Sequence, residues 1–160
     1  MVETTPSGTR HCYVSFLLGE ETYALDVREA REIVDLPALR RLPNAPPWIV
    51  GVMDLRGAVV PVVDLEKKLG IPRTGGAAAG YVVVVVLQVR GQELVVGVLA
   101  DAVLDVFELA ADELGRPPAF GARFSRSYLR GTTDRDGQLV LVLEATRVLA
   151  DRDVRRATAA

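Results

Sequence analysis

The sequence predicts an all-β protein with short helices, built from two small β-barrels that pack on each other. Three observations lead there. Short apolar runs rich in valine are bounded by Gly, Pro, Asn and Asp along most of the chain. Two hairpin signals, Asp54-Leu55-Arg56-Gly57 and Asp134-Arg135-Asp136-Gly137, each separate such runs. The chain also matches itself at a shift of 80, which sets Gly51 on Gly131, Asp54 on Asp134, Gly57 on Gly137, Val60 on Val140, Val62 on Val142 and Leu69 on Leu149. A shift of 72 to 73 sets Gly19 on Gly91 and residues 32–36 beside 105–109. Two copies of one β unit are the simplest reading. Units of about five short strands each are too small to bury much apolar surface alone, so they are expected to pack together and leave a groove between them.

Each element has a local cause. Residues 1–10 are polar, carry Pro6 and Gly8, and read as a flexible tail. Cys12, Val14, Phe16 and Leu18 alternate as one face of a strand, and Gly19-Glu20-Glu21 turns it into a second strand over 22–25. Asp26 with Glu29 resembles a capping box, and Val27, Ala30 and Ile33 at helical spacing predict a helical turn before the β-like residues 33–36. Trp48 to Met53 and Ala58 to Leu65 form a hairpin whose tip carries Arg56, and Trp48, the single tryptophan, reads as a buried anchor. A guanidinium beside so many valines either pairs with a carboxylate or is presented to a partner.

Residues 66–69 make a helical turn closed by Gly70, and 72–80 is a Gly/Ala-rich connector. Five consecutive valines within 81–89 suit a strand buried on both faces. Gly91-Gln92 turns it into a strand at 94–99, a helical turn is expected at 101–104, and a strand at 105–109. A long loop holds Gly115, Pro117, Pro118 and Gly121, and a second hairpin spans 128–143. The expected organisation is one domain over 11–150, with subdomains at about 11–70 and 80–143, a helix from 144, and a frayed tail at 151–160.

Composition narrows the function. The 160 residues are 49% hydrophobic and 25% charged, with 19 basic and 21 acidic side chains spread along the chain. That balance shows no electrostatic footprint for nucleic acid or an anionic membrane. No charged start leads into an apolar run of signal form, so a cytoplasmic protein is expected. His11 and Cys12 occur once each and, as neighbours on a strand, point to opposite faces, which defeats a Cys/His nucleophile pair. Zinc-ligand clusters and a phosphate-binding loop are lacking, so neither metal nor cofactor is expected. Asp26, Asp35, Asp64 and Asp101 stand at strand ends, where acidic residues serve mostly as caps and turn formers.

The chain resembles the CheW family of chemotaxis coupling proteins. The resemblance is carried by Gly19-Glu20-Glu21-Thr22-Tyr23-Ala24-Leu25-Asp26-Val27, by Glu32-Ile33-Val34, and above all by Leu42-Pro43-Asn44-Ala45-Pro46 with Gly51-Val52-Met53-Asp54-Leu55-Arg56-Gly57 and Val60-Pro61-Val62-Val63-Asp64-Leu65. Val98-Leu99-Ala100-Asp101-Ala102-Val103, Phe120-Gly121, Tyr128-Leu129-Arg130-Gly131 and Gly137-Gln138-Leu139 follow in the family's order.

The resemblance implies two intertwined SH3-like five-stranded barrels without catalytic activity. It implies an adaptor between the cytoplasmic tips of chemoreceptors and the regulatory domain of a CheA-type histidine kinase, recruited to receptor arrays at the inner membrane. It further implies a Glu32–Arg56 salt bridge, a receptor-facing groove containing Glu32, Gly51, Arg56, Val83, Val103 and Val106, and kinase-facing residues Val14, Val27 and Ala30. The sequence departs from the family pattern at Asp54, Ala102 and Arg130, and Asp54 stands where it would compete with Glu32 for Arg56. Two alternatives stay open: a scaffold in another chemosensory pathway, such as surface motility or gene regulation, and a small β-barrel enzyme or ligand-binding protein using the groove.

Overall fold

Among the residues described by the computed structural model, 10–71, 79–116 and 126–159, ten strands and three α-helices follow one another. The first half holds β1 (Arg10–Leu18), β2 (Glu21–Asp26), β3 (Ala30–Asp35), β4 (Ile49–Leu55), β5 (Ala58–Val63) and α1 (Leu65–Leu69). The second half holds β6 (Tyr81–Val89), β7 (Gln92–Ala100), β8 (Ala102–Ala110), β9 (Leu129–Arg135), β10 (Gln138–Leu143), α2 (Ala145–Leu149) and α3 (Arg152–Ala159). The expected tail before Arg10, the connector at 72–78 and the loop at Pro117, Pro118 and Gly121 lie outside the described residues.

Two five-stranded sheets result, ordered β8-β1-β2-β10-β9 and β3-β6-β7-β5-β4. Each draws strands from both halves. The β1–β2 hairpin sits in the second half's sheet through parallel pairing of β2 with β10, and the β6–β7 hairpin sits in the first half's sheet through parallel pairing of β7 with β5. The division expected between 70 and 80 therefore separates two copies of a repeat and not two sheets. Neither half completes a sheet by itself, which is the physical content of the intertwining. The shift of 80 survives in three dimensions, since β4, β5 and α1 superpose in number on β9, β10 and α2.

Sheet pairing overrides local propensity in two places. The helical turn expected near Asp26 is absent. Asp26 Oδ1 accepts from the Arg28 amide at 2.9 Å, an Asx turn, and β3 follows, paired with β6 from Ala30↔Val85 to Asp35↔Tyr81. The helical turn expected at 101–104 is likewise strand β8, and Leu104 is the extra residue of a bulge between the pairs Ser15↔Asp105 and Phe16↔Val103. The C-terminal helix is two helices, broken at Ala150 and Asp151, and 151–160 is not wholly frayed: Val154 and Ala157 are buried in the main core.

That core unites both sheets, from Val14, Phe16, Leu18 and Leu25 to Val62, Val84 and Val96, with Val82 to Val85 fully buried as the valine run implied. A smaller cluster of Tyr13, Ala24, Phe107, Leu109, Val140 and Val142 lies on the other face of the first sheet. Strand β1 is therefore buried on both faces in its middle, which a single apolar stripe at even positions did not convey. Asp64 caps α1 by accepting from the Glu66 amide at 3.0 Å and the Lys67 amide at 3.3 Å, and Gly70 closes it in the left-handed conformation.

Candidate functional site

The edge strands of the second sheet are β3 and β4, and they do not pair with each other. An ion pair closes the gap. Arg56 and Gly57 both have positive φ, 52° and 86°, which makes a two-residue type I′ turn and swings the Arg56 side chain out of the hairpin. Its guanidinium reaches back to Glu32 on β3 in a bidentate pair, Nη1 to Oε2 at 2.6 Å and Nη2 to Oε1 at 2.8 Å. The Arg56 side chain is 71% exposed and that of Glu32 24%. The hydrogen bonds from Arg56 hold the Glu32 carboxyl below the ordinary carboxylate range, and the same bonds raise the guanidinium. Asp54 does not compete. Its Oδ1 accepts from the Gly57 amide at 2.9 Å and so caps the turn, as Asp134 does for Gly137 at 3.1 Å.

The other expected site residues divide by exposure. Val106 is 59% exposed on the edge strand β8, and Val27 is exposed at the end of β2. Val103 and Ala30 are half-buried and pack on the main core. Val83, fully buried, and Val14, at 5%, are core side chains and present nothing to a partner; both belong to strands in the interior of a sheet. Gly51 is buried, and its role is backbone approach: Val52 and Arg40 exchange both hydrogen bonds at 2.8 Å, which a side chain at Gly51 would obstruct. All three are buried, so each supports its strand from within and lies beneath the surface. Trp48 is half-buried, with the Lys68 ammonium 3.6 Å above its ring.

Sequence reasoning missed a second charged group. Asp26, 2% exposed at the end of β2, binds Arg28 through Oδ2 at 2.8 Å and receives Arg130 Nη1 at 3.3 Å. Arg130 also reaches Glu144 at 3.3 Å and the Tyr13 hydroxyl at 3.4 Å. The one signal was Arg130, a departure from the family pattern. Burial pushes the Asp26 carboxyl up, but the Arg28 side chain, the Arg28 amide and charge, and Arg130 outweigh it and hold the carboxyl at about 2. Of these residues Tyr13, Arg28, Arg130 and Glu144 line an open cleft of about 660 Å³ with His11 and Leu114. The lining carboxylate Glu144 and the buried Asp26 are both already paired with arginine, which suits structure better than acid/base work.

The sign of the Asp26 shift sets a pH dependence. The folded carboxyl lies below its ordinary value of 3.8, so its contribution is present above pH 4 or so and disappears as the pH falls toward about 2, a loss of roughly 1–2 kcal/mol. Denaturant melts of the wild type and Asp26→Asn between those limits should converge on acidification. Parallel curves would contradict the assignment.

His11 and Cys12 are separated as their strand positions required. His11 Nδ1 lies 3.3 Å from Arg28 Nη2, and Cys12 Sγ lies 3.7 Å from Glu108 Oε2. Among the described residues no group of three or more His, Cys, Asp or Glu side chains is placed to hold a metal, and no helix is long and apolar enough to cross a membrane.

Two interleaved sheets with paired carboxylates and an ion pair displayed across an open seam define a protein-interaction domain. The chain belongs to the CheW-like domain family, which matches residues 12–153. The chemotaxis protein CheW of Klebsiella aerogenes is 31% identical over 142 residues, covering 89% of this chain and 83% of that protein. The chemotaxis protein CheW of Rhizobium meliloti is 29% identical over 140 residues, 88% of each chain. The crystal structure of the scaffolding protein TtCheW from Thermoanaerobacter tengcongensis matches with a TM-score of 0.75 at 25% identity, covering 96% of this chain and 95% of that one.

Proposed function

We propose that this chain is a non-catalytic cytoplasmic adaptor that couples chemoreceptors to a CheA-type histidine kinase in a chemosensory array. The observation that carries the reading is the Glu32–Arg56 pair, a geometrically fixed bidentate contact presented at an open seam of a CheW-family fold. The receptor's cytoplasmic helical tip docks along Glu32, Arg56, Val103 and Val106, with Gly51 and Val83 shaping the strands beneath. The kinase's regulatory domain docks at Val27 and Ala30, with Val14 as support.

Exposed apolar side chains at sheet edges and a charged rim suit a transient protein contact, because they leave the free chain soluble while offering a desolvated centre when covered. The recruitment of the chain to arrays at the inner membrane follows from receptor binding. The test is co-elution of the full chain with the regulatory domain of a CheA-type kinase and with a soluble receptor-tip fragment from the same genome. A complex with each is expected at tens of micromolar protein, the range set by a Kd near 1 μM or about −8 kcal/mol. Absence of both complexes would overturn the adaptor reading in favour of a ligand-binding barrel.

A further inference from the structure

The fold has two seams, and the second is clasped as the first is. Strands β8 and β9 are the edges of the other sheet and do not pair with each other. Asp105 on β8 accepts from Arg135 Nη2 at 3.2 Å across that gap. The repeat relates the two pairs. Asp105 stands beside Glu32 at the shift of 73, and Arg135 ends β9 as Leu55 ends β4, one position before the counterpart of Arg56. The exposed apolar residues are duplicated as well: Ile33 on β3 answers to Val106 on β8, and Val59 on β5 to Leu139 on β10.

Two details make the second clasp more than a surface ion pair. The Arg135 guanidinium lies 4.1 Å over the ring of Phe107, which orients it. The Asp105 carboxylate also accepts from the Val106 amide at 2.9 Å through its other oxygen, so one side chain ties the seam to the backbone of the most exposed valine on the edge.

We infer that Asp105 and Arg135 are positioning residues that hold the Val106 edge of β8 in the shape that receives the receptor tip, the second of two pseudo-equivalent clasps. The inference rests on the adaptor reading and extends it to residues for which the family resemblance gave no role. A helical tip packing on Val106 needs that edge fixed relative to β9, and the sheet's backbone hydrogen bonds do not fix it.

The experiment measures the Kd for a soluble receptor-tip fragment and the melting temperature for the full chain, Arg56→Ala, Arg135→Ala, Asp105→Arg, and the double variant Asp105→Arg with Arg135→Asp. Arg135→Ala and Asp105→Arg are expected to weaken binding about tenfold, the effect of about 1.4 kcal/mol, at unchanged melting temperature. Faster hydrogen exchange at the Val106 amide should accompany the loss, and the double variant should regain binding. Arg135→Gln keeps the stem over Phe107 and drops the charge, and carries the same test if the alanine variant unfolds. Binding lost in Arg56→Ala and kept in the Arg135 variants overturns the inference alone. Loss in both single variants without recovery in the double variant means direct contact and overturns positioning. A wild type that does not bind the tip overturns the adaptor reading and the inference together.

Discussion

Gly51→Ala should lower stability by about 3 kcal/mol and the melting temperature by roughly 6–12 °C, without changing partner affinity per folded molecule. A Cβ at this position would lie 2.8 Å from the Arg40 carbonyl oxygen and 3.0 Å from Leu39 Cβ. The Arg40–Val52 bridge covers the outer edge of β4 and cannot retreat without losing both of its 2.8 Å hydrogen bonds. The φ of 156° at Gly51 adds strain for any L side chain. The repeat supplies an internal control: a Cβ at Gly131 on β9 would lie 2.8 Å from the Gly115 carbonyl oxygen and 2.9 Å from Leu114 Cβ, and Gly115 bridges to Thr132. Gly131→Ala should cost about the same. A Gly51→Ala protein that melts like wild type but no longer binds the receptor tip would return Gly51 to the groove as a contact.

Lys68→Ala should be similarly damaging, by about 3 kcal/mol, because it breaks a mostly buried ion pair from one side. The Lys68 side chain is 8% exposed, pairs with Asp151, and holds its ammonium over the Trp48 ring. Asp151 in turn caps α3 by accepting from the Val154 amide at 3.0 Å. One lysine thus joins the first half's helix to the helix that closes the second half. Replacing both charges with apolar residues, Lys68→Met with Asp151→Leu, should recover much of the loss, since the buried ammonium is then never desolvated and no unpaired Asp151 is left beside it. Chemical denaturation of the two variants checks both statements, and a single variant as stable as wild type would contradict the role given to Lys68.

The two hairpins, the capped helix α1 and the doubly buried valine strand were legible because each rests on short-range chemistry: Asp-X-X-Gly turns, an Asp64 cap, and β-branched density. The repeat was legible for the same reason, since its identities fall on turn glycines, capping aspartates and core positions. What failed was decided by distant partners. The apparent capping box at Asp26 and Glu29 gave way to β3 because the valine strand β6 needed an edge partner. The exchange of hairpins between halves leaves no local mark, because β1 and β2 read identically whichever strands flank them. Exposure was equally hidden: Val14 and Val106 are opposite each other on paired strands, yet one is core and the other edge. The ion pairs Asp26–Arg130, Lys68–Asp151 and Asp105–Arg135 join residues 104, 83 and 30 positions apart in sequence, beyond the reach of any periodicity.

The central claim is that Glu32 and Arg56 serve assembly and not folding. Titration calorimetry of the wild type and Arg56→Ala against the soluble receptor tip, beside thermal melts of both, tests it most directly. The pair is exposed on the Arg56 side, so the melting temperature should hold while the affinity falls at least about tenfold. Equal loss of melting temperature and affinity, or full affinity in the variant, would contradict it.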